Sequence, residues 1–238
     1  MALQKETLKK MQAVYDMLSL AQAQERPIPL DEIGAVISHL EDIIRAESAA
    51  TKIGKLDLFK YVEPDHDWPT SGIYHDPEGF IVATDQKVLA VIKSDISPDL
   101  SGKILMKDGS FYTGKEYPKW RMVVPSNEKD YEPVEIMSKA ERITKFLDEQ
   151  KARVKLSKET EYNGVHVHGF LFRPEFLLKT MVVMKEIGAD SIYVRKDKEA
   201  RAAYAKTDKG LVLLMPLMGS KDDFVIDNST HLLDLDEE

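Results

Sequence analysis

The sequence predicts an α+β fold: two β-α-β-β-β units, preceded by a helical hairpin and interrupted by a helical insert. Three observations predict it. Apolar residues recur at helical spacing across residues 2–50, and the pattern changes to strand-like alternation after residue 55. Residues 165–217 run strand, helix, strand, strand, strand, with capping and turn residues at the junctions. Residues 52–125 carry a degraded version of the same order.

Each element has its own justification. In residues 2–24, Leu8, Met11, Tyr15 and Leu18 make an apolar stripe, and Glu25-Arg26-Pro27-Ile28-Pro29 ends the helix. Residues 30–50 form a second helix with a stripe of Ile33, Val36, Ile37, Leu40, Ile43 and Ile44, and Asp31-Glu32 suit its N-terminus. This hairpin is read as packed on the main domain, because such stripes usually line a core; an oligomerisation or partner surface is the alternative. Residues 56–62 read as a short helix. Ser71 to His75 and Phe80 to Thr84 read as strands joined by Asp76-Pro77-Glu78-Gly79, and a third strand covers Lys87 to Lys93. Residues 94–116 are turn-rich, 126–132 a loop, and 133–153 a charged surface helix with a narrow stripe of Ile136, Ala140, Ile143 and Leu147. Val165 to Phe172 is a strand. Pro174 opens a helix that carries Phe176, Leu177, Thr180, Met181, Val183 and Met184 and stops at Gly188. Strands follow at 191–195, 201–206 and 211–217, and the acidic tail from Ser220 is expected to be mobile at its end. The domain reading is therefore a hairpin (1–51), a main domain (52–219, with units 52–125 and 160–219 and an insert 126–159) and a tail (220–238).

Composition narrows the function. At 238 residues and 43% hydrophobic, the chain can bury a substantial core. It has no Cys, which excludes disulfides and thiolate metal sites. The start turns polar too quickly for a signal peptide and no apolar run reaches a membrane-spanning length, so a cytoplasmic protein without membrane contact is expected. The net charge of −8 argues against tight wrapping of nucleic acid, although a basic inner face can coexist with an acidic outside.

Three short segments stand in order: Ala83-Thr84-Asp85-Gln86-Lys87-Val88-Leu89-Ala90, then Tyr117-Pro118-Lys119-Trp120-Arg121-Met122-Val123-Val124-Pro125, then Leu213-Leu214-Met215-Pro216-Leu217-Met218. Together they resemble segments of the bacterial sliding clamp, the β subunit of the replicative DNA polymerase. The resemblance covers a little over half the chain. It implies a DNA-clamp-like domain and a non-enzymatic role in DNA replication or repair, as a processivity factor or partner-docking module, with no cofactor. It also implies a partner-peptide pocket formed by Thr84, Gln86, Val88, Leu89, Pro125, Leu213, Met215, Pro216 and Leu217, which would receive short motifs of polymerase or other replication proteins. It further implies weak, sequence-independent contact with DNA through Arg173, Lys179 and Lys185 on the helix that lines the ring. Gln86 stands where that family often has Gly, Val88 where it has a basic residue, and Met218 where it has Arg. A clamp chain holds three such domains and pairs to six; this chain offers one, so a ring needs a homo-oligomer. An adaptor with this fold and no DNA contact is the alternative reading.

Lys55-Leu56-Asp57-Leu58-Phe59 resembles the Gln-Leu-Ser/Asp-Leu-Phe peptide by which clients bind sliding clamps, which makes this chain a client of a host clamp if exposed; burial in the core is the preferred reading. His231 to Leu235 is a weaker echo. His166 and His168 share a strand face, but a metal site needs further ligands and none is fixed nearby in sequence, so no metal is expected. Trp120 reads as core and not as a base-stacking residue, and nothing resembles a phosphate loop or nucleophile elbow.

Overall fold

The computed structural model describes residues 5–23, 29, 33–41, 52–53, 56–64, 68–156, 162–197, 201–217 and 230–236. Two helices come first, α1 (Lys5–Ala23) and α2 (33–41); the remainder of the predicted second helix lies outside the described residues. Their apolar stripes face outward. Met11, Tyr15, Leu18, Leu20, Ile33, Ile37 and Leu40 are exposed, and among the described side chains of the two helices only Val14 and Val36 are buried. The expectation that this hairpin contributes its stripe to the core is corrected on that ground.

A short ribbon of β1 (Lys52–Ile53) and β2 (Leu56–Asp57) leads into a single 3-10 turn over Leu58–Tyr61, in place of the predicted short helix. The Asp57 carboxylate accepts from the Phe59 N–H and starts this turn (3.2 Å). Leu56 and Leu58 are fully buried. The client-peptide reading of residues 55–59 therefore falls, since its anchor side chains are core.

The main sheet has eight antiparallel strands in the order β6-β3-β4-β5-β12-β11-β10-β7. They are β3 (Ile73–Asp76), β4 (Phe80–Thr84), β5 (Val88–Lys93), β6 (Ile104–Leu105), β7 (Tyr131–Glu135), β10 (Ser191–Arg195), β11 (Ala203–Thr207) and β12 (Gly210–Leu214). The seam between β5 and β12, with Ala90 opposite Val212 and Leu89 opposite Leu213, joins the two halves of the chain. Gly210 sits at this seam because an added Cβ would lie 2.3 Å from the Val91 carbonyl oxygen.

Both faces of the seam are covered, so its strands are continuously apolar. On one face Val88, Ala90, Ile92, Val212 and Leu214 meet α4 (Pro174–Ile187). That helix follows the predicted pattern: Pro174 is in its first turn and Gly188 ends it in the left-handed conformation (φ 74°). Its buried Leu177, Met181, Met184 and Ile187 each stabilise by roughly 1.5–3 kcal/mol on burial. On the other face Leu89, Val91, Leu211 and Leu213 meet Tyr117, Trp120 and Val124.

The predicted 133–153 helix divides in two. Its start is strand β7, which pairs with β10, and the helix proper is α3 (Ala140–Leu156). Ile143 and Gln150 are buried where α3 packs on α4, and the rest of the helix is largely exposed, as the narrow stripe predicts. The predicted 165–172 strand is a hairpin of β8 (Tyr162–Val167) and β9 (Phe170–Phe172), turned at His168 (φ 48°) and Gly169 (φ 86°). The tail contributes β13 (Thr230–Asp234), parallel to β8, and Leu235 is buried; the end expected to be mobile lies outside the described residues.

Candidate functional site

The first of the three ordered segments builds a tight turn between β4 and β5. The Thr84 hydroxyl donates to the Val88 carbonyl (3.0 Å) and accepts from the Gln86 N–H (3.0 Å). The Asp85 carboxylate accepts from the N–H groups of Lys87 (3.0 Å) and Val88 (2.8 Å). Gln86 occupies the left-handed region (φ 65°), where Gly carries no Cβ penalty. The other Asp85 oxygen accepts from Lys179 Nζ of α4 (2.8 Å), which ties the turn to the helix on the far side of the sheet.

The second segment is anchored at Asp76, whose side chain is almost fully buried. Arg121 donates to it through both terminal nitrogens (2.7 and 3.0 Å), and Trp120 donates through Nε1 (3.0 Å). Burial alone would push the Asp76 carboxyl up; the hydrogen bonds from Arg121 and Trp120 outweigh it and hold the group below its ordinary value. The Arg121 guanidinium also lies 4.2 Å from the Trp120 ring centre. Tyr117 stacks on Tyr74 (4.9 Å between centroids), and burial pushes its phenol up. Its hydroxyl is buried without a hydrogen-bond partner among the described residues.

The third segment continues β12, where the Met215 N–H donates to the Lys87 carbonyl (2.9 Å). The three segments meet in an apolar pocket of about 230 Å³. Thr84, Gln86, Lys87 and Leu89 line it from the first segment, Tyr117, Pro118, Lys119, Trp120 and Val123 from the second, and Leu213 and Met215 from the third, with Thr70 and Ala202 also in its lining. Leu89 and Leu213, opposite each other in the sheet, are its buried floor, and Met215 is 45% exposed at its rim. A neighbouring groove of about 480 Å³ shares Val123 and Met215 and adds Pro125, Tyr131, Arg195 and Arg201.

Of the nine pocket residues expected from the sequence, Thr84, Gln86, Leu89, Leu213 and Met215 line this pocket. Pro125 lines the neighbouring groove. Val88 is buried on the opposite face, as a strand's alternation requires once Leu89 faces the pocket. Pro216 and Leu217 lie beyond the rim, and the Leu217 N–H donates to the Leu171 carbonyl of β9 (2.8 Å). Tyr117, Pro118 and Trp120 escape a residue-by-residue carry-over, although an aromatic pair flanking Pro-Lys was their signal.

Of the expected DNA-facing residues, Lys179 is engaged by Asp85 and lies over the Tyr61 and Phe176 rings, so it is not a free phosphate contact. Arg173 is half-exposed with Glu175 at 3.7 Å, and Lys185 is exposed in the last turn of α4. On α3, Arg142 and Lys145 are exposed among Glu141, Asp148 and Glu149.

No family model matches the chain, and no curated protein matches it. Solved structures do. The fold is similar to that of the β sliding clamp of C. crescentus (14% identity, TM-score 0.47, 76% of this chain and 64% of that one). It is also similar to the Helicobacter pylori β clamp bound to a DNA ligase peptide (15% identity, TM-score 0.43, 76% and 63%). A third is the Bacillus subtilis DNA polymerase sliding clamp (14% identity, TM-score 0.44, 76% and 63%). The chain spans less than two thirds of the length of these clamps. Among the described residues no helix is long and apolar enough to cross a membrane.

Proposed function

We propose that this chain is a non-enzymatic docking module of the sliding-clamp type, serving DNA replication or repair by holding short peptide motifs of partner proteins. The observation that carries the reading is convergence: three segments far apart in sequence meet in one pocket with a preformed apolar floor. Such a pocket takes an apolar anchor at low cost in ordering, and Pro118 and the Asp76-held Trp120 keep its wall rigid. We read the two strand runs around α4 and around the Leu58–Tyr61 turn as the two units of one clamp-like domain, the second complete and the first without its helix.

The test is binding of a fluorescein-labelled Gln-Leu-Asp-Leu-Phe peptide by polarisation. Saturable binding that is lost in Met215→Glu supports the reading, since Met215 is exposed and its replacement leaves the core intact. Absence of binding by the wild-type chain would overturn it.

A second reading, an adaptor that never touches DNA, is favoured by the pairing of Lys179 with Asp85 and by the net charge of −8. Retention on circular but not linear DNA would exclude it. Self-association belongs to either reading and is assigned to the N-terminal hairpin. Its stripes are spaced three and four apart (Leu8, Met11, Tyr15, Leu18; Ile33, Ile37, Leu40, Ile44), the pattern of a helix–helix seam. The first helix is basic (Lys5, Lys9 and Lys10 against Glu6 and Asp16). The sequence across residues 30–50 is acidic (Asp31, Glu32, Glu41, Asp42 and Glu47 against Arg45). A second copy, its first helix against the other's second, supplies both the apolar cover and the opposite charge.

A further inference from the structure

Outside the pocket, and among the described residues, one cluster of side chains brings three metal-ligating groups together. Strand β13 lies parallel to β8 with Asp234 opposite His166. The Asp234 Oδ1 atom is 3.0 Å from His166 Nδ1, and Asp236 Oδ2 is 3.4 Å from the same nitrogen. All three ligand atoms lie within 4.8 Å of one another. Ligands about 2.1 Å from an ion sit roughly 3.4 Å apart in a tetrahedron and roughly 3.0 Å apart in an octahedron, so the 3.4 Å distance fits the first and the 3.0 Å distance, a hydrogen bond without an ion, fits the second.

The carboxylates are held in place by the backbone. Asp236 Oδ1 accepts from the His168 N–H (2.8 Å), which leaves Oδ2 toward His166, and Asp234 Oδ1 accepts from the Asp236 N–H (2.9 Å). This is the outer support that ligating groups require. Two carboxylates face one ring nitrogen, which carries at most one proton. A cation at that point would meet the charge of both carboxylates at once. The nearby Arg142 donates to the Asp234 carbonyl oxygen (3.3 Å). His168, the other half of the His-x-His pair, turns its ring to Glu132 of β7 (2.6 Å) and so lies outside the set.

We propose that His166, Asp234 and Asp236 bind one divalent first-row transition cation of the zinc or manganese kind. An imidazole with two carboxylates selects such ions over magnesium and calcium, which prefer all-oxygen shells. The cation joins strands 68 residues apart and fastens β13 to β8. Binding to the folded chain alone raises its stability in proportion to ligand concentration.

The experiment uses the full-length chain, free of any histidine tag and stripped with a chelator. ZnCl₂, MnCl₂ and MgCl₂ are titrated by calorimetry, and CoCl₂ is added to read its visible absorption. The expected result is one zinc or manganese ion per chain, weaker magnesium binding, and a cobalt spectrum of low-symmetry coordination. Asp236→Asn, at a side chain 38% exposed, keeps the fold by circular dichroism and weakens zinc binding by at least the roughly tenfold that even outer-shell changes cost. His166→Gln removes the cobalt signal. Absence of zinc and manganese binding, magnesium binding as tight as zinc, or affinity unchanged in a folded Asp236→Asn would each overturn the proposal.

Discussion

At the scale of single residues, the turn at Asp85 and Gln86 shows why one short segment is built as it is. Asp85 caps the turn with one oxygen and holds α4 through Lys179 with the other, so its role is positional. Gln86 bears the cost of a left-handed backbone. Gln86→Gly is expected to raise stability by about 0.5–1 kcal/mol in urea denaturation, the relief of the Cβ clash less the added freedom of the unfolded chain; a loss would contradict the strain. His75 is buried, and burial lowers its pKa, outweighing the opposite pull of the Ile73 and Lys103 backbone groups. The sign follows: the folded state keeps the neutral ring, and the unfolded chain takes up a proton below its ordinary value of 6.5. Stability is full above that value and falls as the pH drops through it, by up to about 1.4 kcal/mol per pH unit from this group. Urea midpoints from pH 7.5 to 5 check it, and His75→Leu should flatten the slope. Asp76 adds a separate acid limb. Its depressed pKa contributes stability above 3.8 that is lost as the pH falls through the folded value. Asp76→Ala should cost about 2–3 kcal/mol, since it strips a hydrogen-bonded charge from Arg121.

At the scale of elements, the β5–β12 seam decides both stability and the pocket. It puts Leu89 against Leu213 as a floor on one face and Val88 against Leu214 as core on the other. Gly210→Ala drives a methyl into the Val91 carbonyl, and the expected loss is about 1–3 kcal/mol, read by thermal or urea unfolding. An unchanged midpoint would mean that the seam can open locally. Helix α3 teaches a related lesson. Its charged surface is exposed as the sequence suggests, and Ile143 and Gln150 are buried at its contact with α4. A narrow stripe is enough when the neighbouring helix supplies the rest of the apolar surface.

At the scale of the whole molecule, one eight-stranded sheet carries helices on one face and the apolar pocket on the other. Light scattering after size exclusion tests how copies associate. The hairpin surface predicts an assembly larger than the 27.0 kDa chain, and the double variant Tyr15→Lys/Ile37→Lys should reduce it to the monomer mass. A monomeric wild-type chain would remove the hairpin from consideration. A mass of about six chains would direct work to circular DNA, since a closed ring of single domains needs that many.

Much of this was legible in the amino-acid order. Pro174 and Gly188 bound α4, the 76–79 turn sets the β3–β4 hairpin, and the continuous apolar runs of 88–92 and 211–214 mark buried strands, all through local rules of backbone geometry and apolar pattern. The three ordered segments pointed to a common pocket, and the alternation that places Leu89 there already excluded Val88. Other features depended on partners distant in the chain. A lysine on a helix looks the same whether it meets solvent or Asp85, and a Leu-Asp-Leu-Phe run looks the same buried or exposed. His166 acquired its two carboxylates only when β13 came to lie beside β8. Residue order determined which elements form and which faces are apolar, because those depend on neighbours three or four positions away. Tertiary structure alone decided which charges are paired and which apolar faces are covered, because both depend on groups that meet only after the chain has folded.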